Sequence, residues 1–179
     1  MSDSRINSLF VLEPLTIVDT PSLHAFLASN KKEFHRFFPT TLGQNETIQA
    51  SENYVLNKSE QIKLKTEFTF AVKTNTSVVG LLILKNLNWE LKRGEIAYCI
   101  DKNYQGRGWI TRAVKEITSF AFNDLDLKTL EIIVYKENKS SIRVAEKSGY
   151  KWIKTLLKAH TPPNEEPLDM ELYERSYEK

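Results

Sequence analysis

Two junctions in this sequence carry residue types that could bind and process an anionic ligand. The first is Gln105-Gly106-Arg107-Gly108-Trp109-Ile110-Thr111, between a stretch of strand character and one of helix character. Glycines allow a tight backbone and close approach of a ligand. A helix N-terminus adds unpaired N–H groups and the positive end of the helix dipole. Together these suit phosphate, and glycines used only for turning are the other reading. The segment lacks the Lys-Ser/Thr end of a Walker loop and the third glycine of the dinucleotide fingerprint. The second junction, Asn138-Lys139-Ser140-Ser141, also follows a strand and opens a helix. Read alone, Asn138 or Ser140 there is a helix cap.

The elements that must position these junctions follow from hydrophobic period. Residues 9–15 read as a first strand, and Asp19-Thr20-Pro21 starts a helix through Leu23, Phe26 and Leu27 that ends near Phe37-Phe38-Pro39. A longer helix is expected over about 46–63, with Ile48, Val55 and Ile62 along one stripe. Phe68, Phe70 and Val72 alternate as in a strand, 78–84 is an apolar run of strand length, and Ile96, Tyr98 and Ile100 follow Gly94. These three read as an antiparallel set. Beyond the glycines, Ile110, Val114, Ile117 and Ala121 recur at helical spacing, and 130–135 is rich in β formers. Residues 140–148 read as a helix closed by Gly149, and 150–157 and 168–173 as a last strand pair. The fold class is α/β of the mixed α+β kind, a mixed sheet with helices on its faces.

Composition narrows the function. The 179 residues are 41% hydrophobic and 27% charged, which suits one domain over 1–179. A net charge of +2 gives no case for direct nucleic-acid binding. No apolar run approaches a membrane span, and 1–10 has no secretory signal, so a cytoplasmic location is expected. The single cysteine, Cys99, excludes a cysteine-rich metal site, and the histidines at 24, 35 and 160 show no ligand spacing, so no metal is expected.

Together the two junctions resemble those of the GNAT superfamily of N-acetyltransferases. Gln105, Gly108 and Ile110 fall on its pyrophosphate signature, with Ile110 in place of the usual small residue. The Gly-x-Gly-aromatic-Ile-Thr run, Asn138-x-x-Ser141 with Val144 to Tyr150, and Gly94 to Ile100 are similar to the RimJ/RimL branch, which acetylates ribosomal-protein N-termini. The specific resemblance covers residues 94–157.

The resemblance implies a six- to seven-stranded, mostly antiparallel central sheet with helices on both faces. It also implies two splayed parallel strands, here 94–100 and 130–135, opened by a bulge in the strand before the glycines. Acetyl-coenzyme A is the implied cofactor. Its arm would run along the strand edge at Tyr98, Cys99 and Ile100. Its pyrophosphate would sit on the N–H groups of Gln105, Gly106, Arg107, Gly108, Trp109, Ile110 and Thr111, with Arg107 adding charge or simply solvated. Asn138 would hydrogen-bond the arm. Ser141 falls on the position of a general acid, with helix capping as the alternative.

The accepting amine must be neutral to attack, so a base is expected. His160, expected just past the 150–157 strand, is one candidate and otherwise an exposed loop histidine. Glu95 is the other, unless it only pairs with a nearby Lys or Arg. A backbone N–H near Cys99 or Ile100 could steady an oxyanion, and direct attack in a ternary complex fits better than an acetyl-cysteine. Glu165 and Glu166 either draw a cationic substrate or keep a loop soluble. The partner is an amine acceptor: a protein N-terminus first, a polyamine or antibiotic second. A sensor of acyl-coenzyme A without turnover is the alternative of another class. Acceptor contacts are expected from 20–65 and 158–168. The chain is expected to be a monomer or homodimer, with Leu9, Phe10, Phe37 and Phe38 serving as core or interface.

Overall fold

The protein is described by a computed structural model covering residues 10–75 and 77–178. Strands β1 (Val11–Pro14), β2 (Phe68–Thr74), β3 (Ser77–Asn88), β4 (Arg93–Ile100), β5 (Thr129–Tyr135), β6 (Lys151–His160) and β7 (Leu168–Ser176) form one sheet in the order β1-β2-β3-β4-β5-β7-β6. Every neighbouring pair is antiparallel except β4 and β5. Leu9, expected in the first strand, lies outside the described residues.

Helices cover both faces. On one lie α1 (Thr20–Ser29), α2 (Lys31–Phe34), α3 (Pro39–Gly43) and α4 (Ile48–Lys63), packed around Leu23, Phe26, Leu27, Val55 and Leu81. On the other lie α5 (Trp109–Asn123) and α6 (Lys139–Lys147). The stripe read from α5 is fully realised: Ile110, Val114, Ile117 and Ala121 are all buried against Leu82, Leu84, Ile96 and Ile132. Full burial of an isoleucine or valine side chain stabilises by roughly 1.5–3 kcal/mol. Of the aromatic residues left open between core and interface, Phe10 is buried, while Phe37 and Phe38 are half-buried. Among the described residues no helix is long and apolar enough to cross a membrane.

The stripe of α4 agrees with expectation at Val55 and at the partly buried Ile62, and differs in the rest. Its buried residues are Ser51, Tyr54, Val55 and Lys58, whereas Ile48 is 50% exposed. The helix turns Lys58 inward because Glu67 lies there to pair with it, Nζ to Oε1 at 2.5 Å. The helix starts at Thr47, whose hydroxyl accepts from the Ala50 N–H at 3.1 Å.

Candidate active site

β4 and β5 pair over only three residues each, Arg93 to Glu95 against Thr129 to Glu131. Beyond them each strand stays with its other neighbour, β4 with β3 as far as Ile100 and β5 with β7 as far as Tyr135. The sheet therefore opens as a V. The expected bulge in β4 is not there: Glu95 to Ile100 keep unbroken register with β3, and the irregularity falls at the far end, between Lys85 and Asn88. The opening comes from pairing on the outer sides alone. A cleft of about 1080 Å³ runs through it and touches both junctions, Glu95 and His160.

The glycine segment lies at the rim of this cleft. Gly106 and Gly108 both have φ +75°, the left-handed region in which side chains are strained, and a Cβ on either would meet no protein atom within 4 Å. Their smallness is therefore not needed for packing against the chain itself. Gly108 caps α5 without a side-chain hydrogen bond, and the first backbone bond of the helix runs from the Arg112 N–H to the Gly108 carbonyl. None of the N–H groups from Gln105 to Thr111 donates to an acceptor among the described residues. Arg107 leans on the Tyr104 and Trp109 rings and donates to the Asn103 carbonyl at 3.1 Å, so it stiffens the loop as well as charging it. Such a run of open amides on a 15-residue helix can hold a diphosphate.

Across the V, Asn138 caps α6. Its Oδ1 accepts from the Ser141 N–H at 3.2 Å and from the Ser140 hydroxyl at 3.0 Å. The cap is therefore Asn138 and not Ser141, and the Asn138 side-chain NH₂ makes no bond among the described residues. Ser141 lies in the first turn of α6, lines the cleft, and has a hydroxyl without a partner among the described residues. The Tyr98 hydroxyl, on β4, donates to the Ser141 carbonyl at 3.0 Å. Burial pushes the Tyr98 phenol up, which keeps it a donor at neutral pH.

On the face of α1 and α4, Glu95 lines the cleft where the strands begin to part. It accepts from Asn86 Nδ2 at 2.7 Å and pairs with Lys85 at 3.4 Å. His160 is not a loop residue: β6 runs on to include it, and it is half-buried. Its Nε2 lies 2.6 Å from the Arg36 carbonyl, and its ring stacks on Phe37, with centroids 5.3 Å apart. Arg36 in turn forms a two-pronged bond to Glu165, Nε to Oε1 at 2.7 Å and Nη2 to Oε2 at 2.6 Å. That hydrogen bonding holds the Glu165 carboxylate below its ordinary value. Glu165 thus joins the segment between α2 and α3 to the β6–β7 loop, while Glu166 stays exposed. The sequence reading missed Arg36, Phe37, Tyr135, Lys58 and Glu67 as parts of this site.

Cys99 is buried, and burial pushes its thiol up to about 12. It lines the cleft as an apolar residue rather than an activated nucleophile. Among the described residues no group of three or more His, Cys, Asp or Glu could hold a metal ion.

Charge is unevenly divided along the cleft. Its lining carboxylates, Glu33, Glu67 and Glu95, each have a lysine within 4 Å: Lys102 at 3.9 Å, Lys58 at 2.5 Å and Lys85 at 3.4 Å. On the side of the glycine segment and α6, Arg107, Arg143 and Lys147 have no carboxylate partner among the described residues.

Comparison with known proteins agrees with this geometry. The probable N-acetyltransferase YjcK of Bacillus subtilis is 25% identical over 142 residues, 78% of each chain. The spermidine N(1)-acetyltransferase of Escherichia coli is 35% identical over 86 residues, 48% of this chain and 46% of that one. In structure, the ribosomal-protein-S5-alanine acetyltransferase from Vibrio fischeri superposes with a TM-score of 0.86 at 19% identity, covering 93% of this chain and 92% of that one, and shows the same fold. The Acetyltransferase (GNAT) domain matches residues 10–151, most of the chain and both sides of the cleft. The protein belongs to the GNAT family and is an N-acetyltransferase that uses acetyl-coenzyme A.

Proposed function

We propose that the protein acetylates the α-amino group of a peptide or protein N-terminus, as the RimJ/RimL branch does. The charge division of the cleft carries this reading. A polyamine needs free carboxylates for its remaining cations, and each carboxylate lining this cleft is already matched by a lysine. An α-amine brings one charge, and with a pKa of roughly 7.7–8.0 it reaches its neutral form near pH 7 far more easily than a lysine at ~10.4. The unmatched cations beside the glycine segment suit the phosphates of the cofactor.

Acetyl-coenzyme A supplies the acetyl thioester. The N–H groups of Gln105 to Thr111 would hold its diphosphate, and the NH₂ of Asn138 and the open side of β4 would hold its arm. Glu95, working through water, would take the proton from the amine as it attacks, and the backbone N–H of Ile100, which faces away from β3, would steady the charge on the acyl oxygen. The Ser141 hydroxyl would pass a proton to the departing sulfur and regain one from solvent water. With the Cys99 thiol buried, attack is direct in a ternary complex, and positioning supplies most of the rate.

The test is acceptor-dependent release of the coenzyme A thiol from acetyl-coenzyme A, with N-terminal peptides, polyamines and aminoglycosides in parallel. Peptides are expected to give the highest kcat/KM. Preference for spermidine would move the assignment to the activity that the Escherichia coli relative is named for. Tight cofactor binding with no release on any acceptor would favour a sensor.

A further inference from the structure

The V between β4 and β5 has a crossbar. From Ile96 to Ile100 no backbone pairing joins β4 to β5. Among the described residues, one side-chain hydrogen bond crosses from this stretch to β5 or the first turn of α6: the Tyr98 hydroxyl to the Ser141 carbonyl, 3.0 Å, between residues 43 apart in sequence. The Tyr98 ring packs against the core under α5, so the hydroxyl reaches across the gap from a fixed base. Ser141 is thereby gripped at both ends of its backbone, its N–H by the Asn138 cap and its carbonyl by Tyr98. Its hydroxyl is left without a partner among the described residues, and the residue lines the cleft.

A tyrosine that only filled space would not need to end on the backbone of this one residue. A hydroxyl that must meet a departing sulfur has to be placed to within a fraction of an ångström, and fixed neighbours do that placing. We propose that Tyr98 is a positioning residue for acetyl transfer, holding the Ser141 carbonyl across the diverging strands and so setting where the Ser141 hydroxyl stands. This rests on the reading of Ser141 as the proton donor.

A double-mutant cycle tests it, using Tyr98→Phe, Ser141→Ala and the double variant on the most productive N-terminal peptide. Tyr98→Phe keeps the ring and removes only the crossbar. Ser141→Ala keeps the crossbar and removes what it positions. Tyr98→Phe is expected to lower kcat about tenfold with KM for acetyl-coenzyme A within about twofold, and the double variant to match Ser141→Ala alone. Unchanged Tm and calorimetric affinity for coenzyme A in Tyr98→Phe would show that the fold is intact. Losses that multiply in the double variant, or a Tyr98→Phe loss confined to KM, would overturn the positioning role and leave the proposed function standing. A Ser141→Ala variant with full turnover would overturn the proton-donor role and the positioning role together.

Discussion

The ring of His160 and the carbonyl of Arg36 fix each other: Nε2 lies 2.6 Å from the oxygen. A carbonyl only accepts, so Nε2 carries a proton and Nδ1 is the one nitrogen left for any other bond. The contact makes His160 a wall of the cleft, clamped between Phe37 and the backbone, and favours Glu95 as the proposed base. His160→Gln is expected to retain turnover within about threefold, and Glu95→Gln to lose about a hundredfold or more in kcat. Steady-state rates of the two variants decide, and the reverse ranking would make His160 the base.

The same wall is closed from outside by Glu165 on Arg36. Exposed ion pairs add little to stability, so Glu165→Gln is expected to leave Tm nearly unchanged. By loosening the wall it should raise KM for the peptide acceptor about three- to tenfold. An unchanged acceptor KM would show that the bridge takes no part in binding.

Gly108→Val puts a branched side chain at φ +75°, where left-handed backbone costs about 1–2 kcal/mol, and fills the space beside the open amides. Calorimetric affinity for coenzyme A should fall at least about tenfold. Gly43→Ala, at a position where a Cβ meets nothing within 4 Å, should leave it unchanged.

Cys99→Ala should keep turnover within about twofold and cost ~1 kcal/mol for the small void it leaves. The buried thiol of the unaltered chain should resist iodoacetamide. Loss of activity with trapping of an acetylated Cys99 would restore a covalent route.

Asp126, φ +55°, joins Lys128 at 2.5 Å and Lys92, tying the β3–β4 turn to the start of β5. Hydrogen bonds from Lys128 and then Lys92 lower its carboxyl to about 2. A carboxyl depressed by folding stabilises fully above its unfolded value near ~3.9, and the gain fades as pH falls toward the folded value. The pair is exposed and screened by solvent, so Asp126→Asn should lower Tm at pH 7 only slightly, with that small gap to the unaltered chain closing between about 4 and 2. Thermal unfolding followed by circular dichroism across that range checks it, and a gap constant with pH would contradict the assignment.

What the sequence disclosed depended on how locally each feature is determined. Ile110 to Ala121 and the Gly106–Gly108 pair are short-range patterns, and both sit where spacing put them. The stripe of α4 holds at Val55 and Ile62 and fails at Ile48, which is left in solvent, while Glu67, beyond the helix, pairs with an inward Lys58 that the pattern does not reveal. His160 was misread because Lys158, with φ +49°, carries the strand on through an irregular stretch that alternation does not reveal. Arg36 and Glu165 are 129 residues apart, and nothing in either neighbourhood points to the other.

The V has one more consequence. From Ile96 onward β4, and from Ile132 onward β5, are edge strands in the middle of a sheet. An ordinary edge invites another chain to add to it and so invites aggregation. Here β1 to β3 flank the gap on one side and β7 and β6 on the other, so the two open edges face each other across the gap rather than the outside of the sheet. The fold keeps an unfinished sheet inside itself, which the proposed cofactor arm would complete.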